Sequence, residues 1–180
     1  AEVSVSSKIL NVYVDGELRD IALIDVALSK ERFVASKAIW DMDTLFEVFL
    51  TRAEPASIGL SSIGARLEAV SLADEGGLRY SIADSEEPED GPSRTVLAPI
   101  APGVVPPVVI SSWQRMADGE RYSIVKRDCT VALDGERAFS VNRTQQLEIE
   151  VRRDGPPIID VELALKVAAA QGLFDLAQGN

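Results

Sequence analysis

Asp134-Gly135-Glu136, within VALDGERAFSV, sets two carboxylates on either side of a glycine, a pattern able to hold a cation or a sugar hydroxyl. Asp-Gly also occurs at 15–16, 118–119 and 154–155, and most such pairs are plain turns, so spacing alone favours a turn. A second candidate is SIGLSSIG, residues 57–64, where amides and hydroxyls in a loop following a helix could hydrogen-bond a polar ligand such as a nucleotide. It matches neither GxxxxGK[ST] nor GxGxxG, and its serines equally cap a neighbouring element, so composition favours a structural loop. The third candidate is the acid excess. Glu86, Glu87, Glu89 and Asp90 lie in DSEEPEDGP, which reads as a solvated run, not the converging carboxylates of a metal site or an acid–base pair. Residue types and spacing alone therefore assign no catalytic group and no metal ligand.

Composition narrows the chemistry further. The 180 residues contain no histidine, which removes Ser-His and Cys-His nucleophile pairs, imidazole bases and histidine metal sites. Cys129 is the single cysteine, so there is neither a disulfide framework nor a CxxC knuckle, and a thiol on a half-buried strand is the simplest reading. Eighteen Lys and Arg against 29 Asp and Glu give a net charge of −11, which repels DNA, RNA and anionic bilayers at long range. Hydrophobic residues at 46% are enough for a core, and no apolar run reaches the roughly 20 residues of a spanning helix.

The elements that would position these groups are mostly short strands. KILNVYVDGELRDIALIDVAL, residues 8–28, reads as a hairpin turning at Asp15-Gly16, with a more continuously apolar second arm from Ile21 to Leu28. DMDTLFEVFLT places Leu45, Phe46, Phe49 and Leu50 at helical spacing, with Asp41 or Asp43 as N-cap and Glu54-Pro55 as the stop. Leu67–Leu72 and Leu78–Ile82 bracket Asp74-Glu75-Gly76-Gly77 as a second hairpin. VLAPIAPGVVPPVVI carries Pro99, Pro102, Pro106 and Pro107, too many for a central strand, and should run along an edge or cross between sheets. Strands follow at 121–126, 130–133, 136–141 and 146–152, then a helix capped by Asp160 whose Leu163, Val167 and Ala170 stripe should lie on the core. The pattern predicts one β-rich α+β domain over residues 1–180, an antiparallel β-sandwich with two substantial helices.

Taken in order, three segments resemble the C-terminal, substrate-binding half of the NAD kinase superfamily, most closely its ATP-NAD kinase-like or acetoin-catabolism protein X branch. That superfamily carries T-G-S-T-A-Y, then L-T-P-I-C-P-H, then a strand ending in S-x-D-G-Q. Here the corresponding stretches are IGLSSI (58–63), LAPIAPG (97–103) and VALDGER (131–137), and RRDGPPIIDVELALKVAAAQGLF resembles the tail of the kinase-like branch. The likeness runs from about Ile21 onward.

The resemblance implies a β-sandwich that supplies much of an NAD pocket. An N-terminal α/β domain with a Gly-Gly-Asp-Gly-Thr motif would grip the ATP phosphates and supply the key carboxylate. No such motif occurs in these residues; Glu75-Gly76-Gly77-Leu78 is not one. The chain is accordingly expected to transfer no phosphate alone, with ATP and Mg entering only with the missing domain. Gly59, Ser61 and Ser62 fall where the family's Gly, Thr and Ala line the dinucleotide pocket, and Asp134 and Gly135 match the D-G turn. Leu60, Ile63 and Gly103 stand where the family has Ser, Tyr and His, and Glu136 replaces Gln with an anion. Those departures point to a ligand other than ordinary NAD. The expected partners are an NAD-like or other small molecule and further copies of the chain, in the cytoplasm, with no nucleic acid and no membrane. Two rivals are a non-catalytic binding or assembly module using the ribbon 96–110, and a lipid-kinase relative, since the diacylglycerol kinase family shares the two-domain plan.

Overall fold

The computed structural model describes residues 3–31, 42–83 and 93–175. The strands are β1 (Ser4–Ser6), β2 (Ile9–Val14), β3 (Glu17–Ala22), β4 (Asp25–Ser29) and β5 (Leu45–Leu50), followed by helix α1 (Leu60–Leu67). Then come β6 (Gly77–Ile82), β7 (Arg94–Leu97), β8 (Pro107–Met116), β9 (Arg121–Ser123), β10 (Cys129–Leu133), β11 (Arg137–Val141), β12 (Leu147–Arg152), β13 (Pro157–Ile159) and helix α2 (Val161–Ala170). All pairings among these strands are antiparallel. A seven-stranded sheet runs β11-β10-β4-β5-β6-β8-β7, a four-stranded sheet runs β3-β2-β12-β9, and β1 pairs with β13 in a ribbon of its own. The result is the expected β-rich α+β sandwich.

Two apolar clusters explain the layering. One fills the space between the sheets, with Val26, Leu28, Phe49, Val131 and Leu133 facing Leu10, Val12, Ile149 and Val151. The other lies on the opposite face of the large sheet, where Leu60 and Ile63 of α1 meet Leu50, Leu78, Tyr80 and Ile110. Because both faces are covered, β10 and most of β4 and β5 are buried at every position and not at alternate ones. Cys129 is buried on β10, and burial pushes its thiol above the ordinary range.

This covering also corrects the helix expected over LFEVFL. A short, continuously apolar run has no period that separates a doubly buried strand from a helix. The segment is β5, preceded by a single 3-10 turn at Met42–Thr44. Conversely, the Gly/Ser segment expected as a loop forms α1, which starts at Leu60 directly after Gly59. The arm expected as one strand from Ile21 to Leu28 is two: β3 belongs to the small sheet and β4 to the large one, with Leu23-Ile24 crossing between them. The strand expected at 67–72 contributes only a bridge from Val70 to Ala53. The Asp15-Gly16 turn is as expected, with left-handed φ of 54° and 84° matching a two-residue hairpin. So is the proline-rich ribbon: β7 is the edge of its sheet, and Pro99, Pro102 and Pro106 lie in the connection to β8.

Asp160 caps α2 as expected, accepting the Leu163 amide at 2.9 Å. The core stripe does not hold, because no residue of α2 is buried and Leu163 itself is exposed. The acidic run 84–92 and the alternative cap Asp41 lie outside the described residues. None of the described helices is long and apolar enough to cross a membrane.

Candidate functional site

The first two resemblance segments are fastened to each other. Gly59 takes a φ of 87°, which suits a residue without a side chain, and its amide donates to the Pro99 carbonyl at 2.9 Å. The Ser62 hydroxyl reaches the same carbonyl at 2.9 Å and the Gly59 carbonyl at 2.8 Å. The Ser61 hydroxyl donates to the Arg52 carbonyl at 3.1 Å and accepts the Glu54 amide at 3.2 Å. Both serines thus tie α1 to its flanking loops.

The third segment is also a fastening. Asp134 and Gly135 have φ of 53° and 69°, and the Glu136 amide closes the turn onto the Leu133 carbonyl at 3.0 Å. The Asp134 carboxylate turns back and accepts three successive backbone amides: Leu23 at 2.9 Å, Ile24 at 2.7 Å and Asp25 at 3.2 Å. These are the residues that carry the chain from one sheet to the other. Thr51 holds the same crossover by its carbonyl side, its hydroxyl donating to Leu23 at 2.9 Å and its amide to Ile24 at 2.9 Å. Arg137 adds an ion pair to Asp20 at 2.6 Å and a bond to the Ile21 carbonyl at 2.7 Å. Gly135 and Glu136 remain exposed.

Replacing Asp134 measures this clamp. Each amide-to-carboxylate bond contributes about 1 kcal/mol or more, and alanine is strained at a left-handed φ. Asp134→Ala is expected to lower stability by about 2–3 kcal/mol in urea denaturation, with Asp134→Asn recovering most of it. Equal losses in the two variants would assign the effect to something other than the accepted amides.

Asp25 and Tyr80 link the two groups of segments, and neither stood out in the sequence. Asp25 opens β4 on the α1 side of the large sheet, where burial, and then the Asp134 charge, push its carboxyl up to about 7. Tyr80 is fully buried and donates to the Leu60 carbonyl at 3.2 Å at the start of α1. Burial raises its phenol well above the ordinary range, and the Asp25 charge raises it further. The signal available in the sequence was an acid interrupting the apolar run from Ile21 to Leu28. Beside the clamped crossover lies a mostly apolar cavity of about 160 Å³, lined in part by Lys8, Leu23, Thr51, Arg52 and Ile158. Lys8 is buried, with its ammonium capped by the carbonyls of Ser71, Asp74 and Gly76 at 2.9, 3.2 and 2.9 Å.

Among the described residues no three Asp, Glu or Cys side chains converge as a metal cage requires. What the arrangement offers a ligand is the left-handed Gly59 corner, the exposed Gly135-Glu136 rim and the cavity near Arg52. Residues 8–154 match the Acetoin catabolism protein X C-terminal domain family. A curated relative, "Acetoin catabolism protein X" of Cupriavidus necator, is 35% identical over 178 residues, which is 97% of this chain and 48% of that protein. The chain thus spans about half the length of that relative. With the family match covering both sheets and the turns that join them, the chain belongs to the acetoin catabolism protein X family and carries its C-terminal domain.

Proposed function

We propose that this domain supplies one wall of a small-molecule site in a larger NAD-kinase-like enzyme, whose phosphate-gripping half lies elsewhere in the polypeptide. The observation that carries the reading is the junction at Pro99, where two segments far apart in sequence are drawn together on Gly59. Gly59, Ser61 and Ser62 would shape the ligand-facing corner through the backbone, their hydroxyls being engaged within the domain. Asp134, Gly135 and Glu136 would form the rim, where the Glu136 carboxylate disfavours a phosphate and suits the ribose hydroxyls of a nucleotide. Any ATP and magnesium would be held by the other half, as the family resemblance implies.

A half-enclosing wall recovers roughly half of a ligand's contact free energy. A ligand bound at about 1 µM by the complete protein would then be bound at about 1 mM by this domain. Titration calorimetry of the chain with NAD, NADH, ATP and a short-chain diacylglycerol is expected to give millimolar binding of a nucleotide and no NADP formation from ATP and NAD. Binding of the acylglycerol alone would favour the lipid-kinase relative, and no binding of any nucleotide would count against the proposal. A second reading, an assembly module, is favoured by Leu97, Val105 and Val109, which are exposed along the edge ribbon. In that case the chain sediments as a dimer without any ligand.

A further inference from the structure

The β1–β13 ribbon and α2 form an arm that the rest of the domain leaves uncovered. All six ribbon residues are exposed, and α2 buries none of its ten. Its sequence, VELALKVAAA, is apolar all round except for Glu162 and Lys166, which pair at 2.6 Å one turn apart. Val161, Leu165, Leu173 and Phe174 are 64%, 54%, 69% and 63% exposed. A helix apolar on nearly every side is characteristic of a buried one. Ten residues are also too few to hold a helix in water without packing, and a two-stranded ribbon is itself marginal. The apolar surface continues along the ribbon through Ile159 to Ile158, which lines the cavity beside Leu23, itself 47% exposed.

We infer that this arm is the surface on which the remaining half of the polypeptide packs, and that α2 is buried there. The inference rests on the reading of the chain as one half of a larger protein. Two observations select that occupant over a second copy. The curated relative extends for about as much length again beyond the matched region. The family's C-terminal domain match, residues 8–154, stops at the arm on both sides, leaving β1, β13 and α2 outside the module. The geometry places the junction at the same spot: the Asp160 amide, at the start of α2, donates to the Val3 carbonyl at 2.8 Å. Val3 therefore lies beside the start of the uncovered helix, within reach of a domain earlier in the polypeptide.

Hydrogen exchange tests this without any ligand, so its outcome is separate from nucleotide binding. The amides of residues 164–171 are compared in the 180-residue chain and in the polypeptide encoded by the whole reading frame that contains it. The expected result is exchange within seconds in the chain alone and at least about a 100-fold slowing in the full polypeptide. The double variant Leu165→Asp, Phe174→Asp should abolish the slowing in the full polypeptide and leave the melting temperature of the 180-residue chain unchanged. Equal exchange in the two forms would overturn the inference. So would protection of the isolated chain that grows with its own concentration, since that marks a second copy as the occupant. A reading frame that adds no second domain would overturn it as well. A full polypeptide that protects α2 but binds no nucleotide would sink the ligand proposal and leave the docking surface standing.

Discussion

Gly76→Ala is expected to cost more than about 4 kcal/mol, a large fraction of the stability of a domain of this size. The residue sits at a φ of 66°, where an L side chain is strained by about 1–2 kcal/mol. The larger part of the cost is steric. A Cβ there would lie 1.9 Å from the Met116 carbonyl oxygen and 3.0 Å from its carbon, both backbone atoms of β8 that cannot swing aside. The adjoining Gly77 is hemmed in likewise, its Cβ position being 2.3 Å from the Leu50 carbonyl oxygen of β5. The glycine pair thus lets β6 begin in a slot between its two neighbours. Relieving the contact would also displace the Gly76 carbonyl from the Lys8 ammonium. Gly16→Ala is the internal comparison: φ is 84°, yet nothing lies within 4 Å of its Cβ position, so only the backbone strain remains. Urea denaturation of both variants should separate them by several kcal/mol, and similar losses would refute the steric account.

The second large effect is a pH profile. Asp25 is raised from 3.8 to about 7, first by burial and then by the Asp134 charge. A carboxyl raised on folding binds its proton more tightly in the native than in the unfolded state. Between about pH 4 and 7 the native state therefore holds the extra proton, and stability falls as pH rises through that window, levelling off above it. Three units of displacement correspond to on the order of 4 kcal/mol. Asp25→Asn mimics the protonated acid and escapes the loss. The variant should match the parent near pH 4 and exceed it by up to about 4 kcal/mol at pH 8. Carboxylates remote from Asp25 add their own slopes, which cancel in the difference between variant and parent. Denaturation midpoints at pH 4.5, 6 and 8 decide the matter; two parallel profiles would mean that Asp25 titrates as an ordinary acid.

The turns, the short strands of the last third and the cap of its helix were legible because local chemistry decides them. Asp15-Gly16 and Asp134-Gly135 supply left-handed residues at hairpin tips, and Asp160 caps its helix through its own carboxylate. Where two layers cover one segment, locality fails. Leu45–Leu50 carries the same apolar density whether it is a helix or a strand packed on both faces, and tertiary pairing selects the strand. In α1, Leu60, Ile63 and Leu67 do repeat at helical spacing, but glycines and serines mask the pattern. The junction of Gly59 and Ser62 with Pro99 was not legible, since nothing in either segment names the other. Asp25 and Tyr80 are separated by 55 positions, and the charge of one reaches the other only because β4, β5 and β6 lie side by side.

The solitary thiol of Cys129, buried at the head of β10 beside the edge strand β11 and reluctant to ionise, gives the domain a built-in clock for its own opening. A maleimide reaches the sulfur only while that margin of the large sheet has parted, and no other cysteine competes for the label. The pace of labelling therefore reports how often the β10–β11 margin opens, whether by itself or with the whole domain.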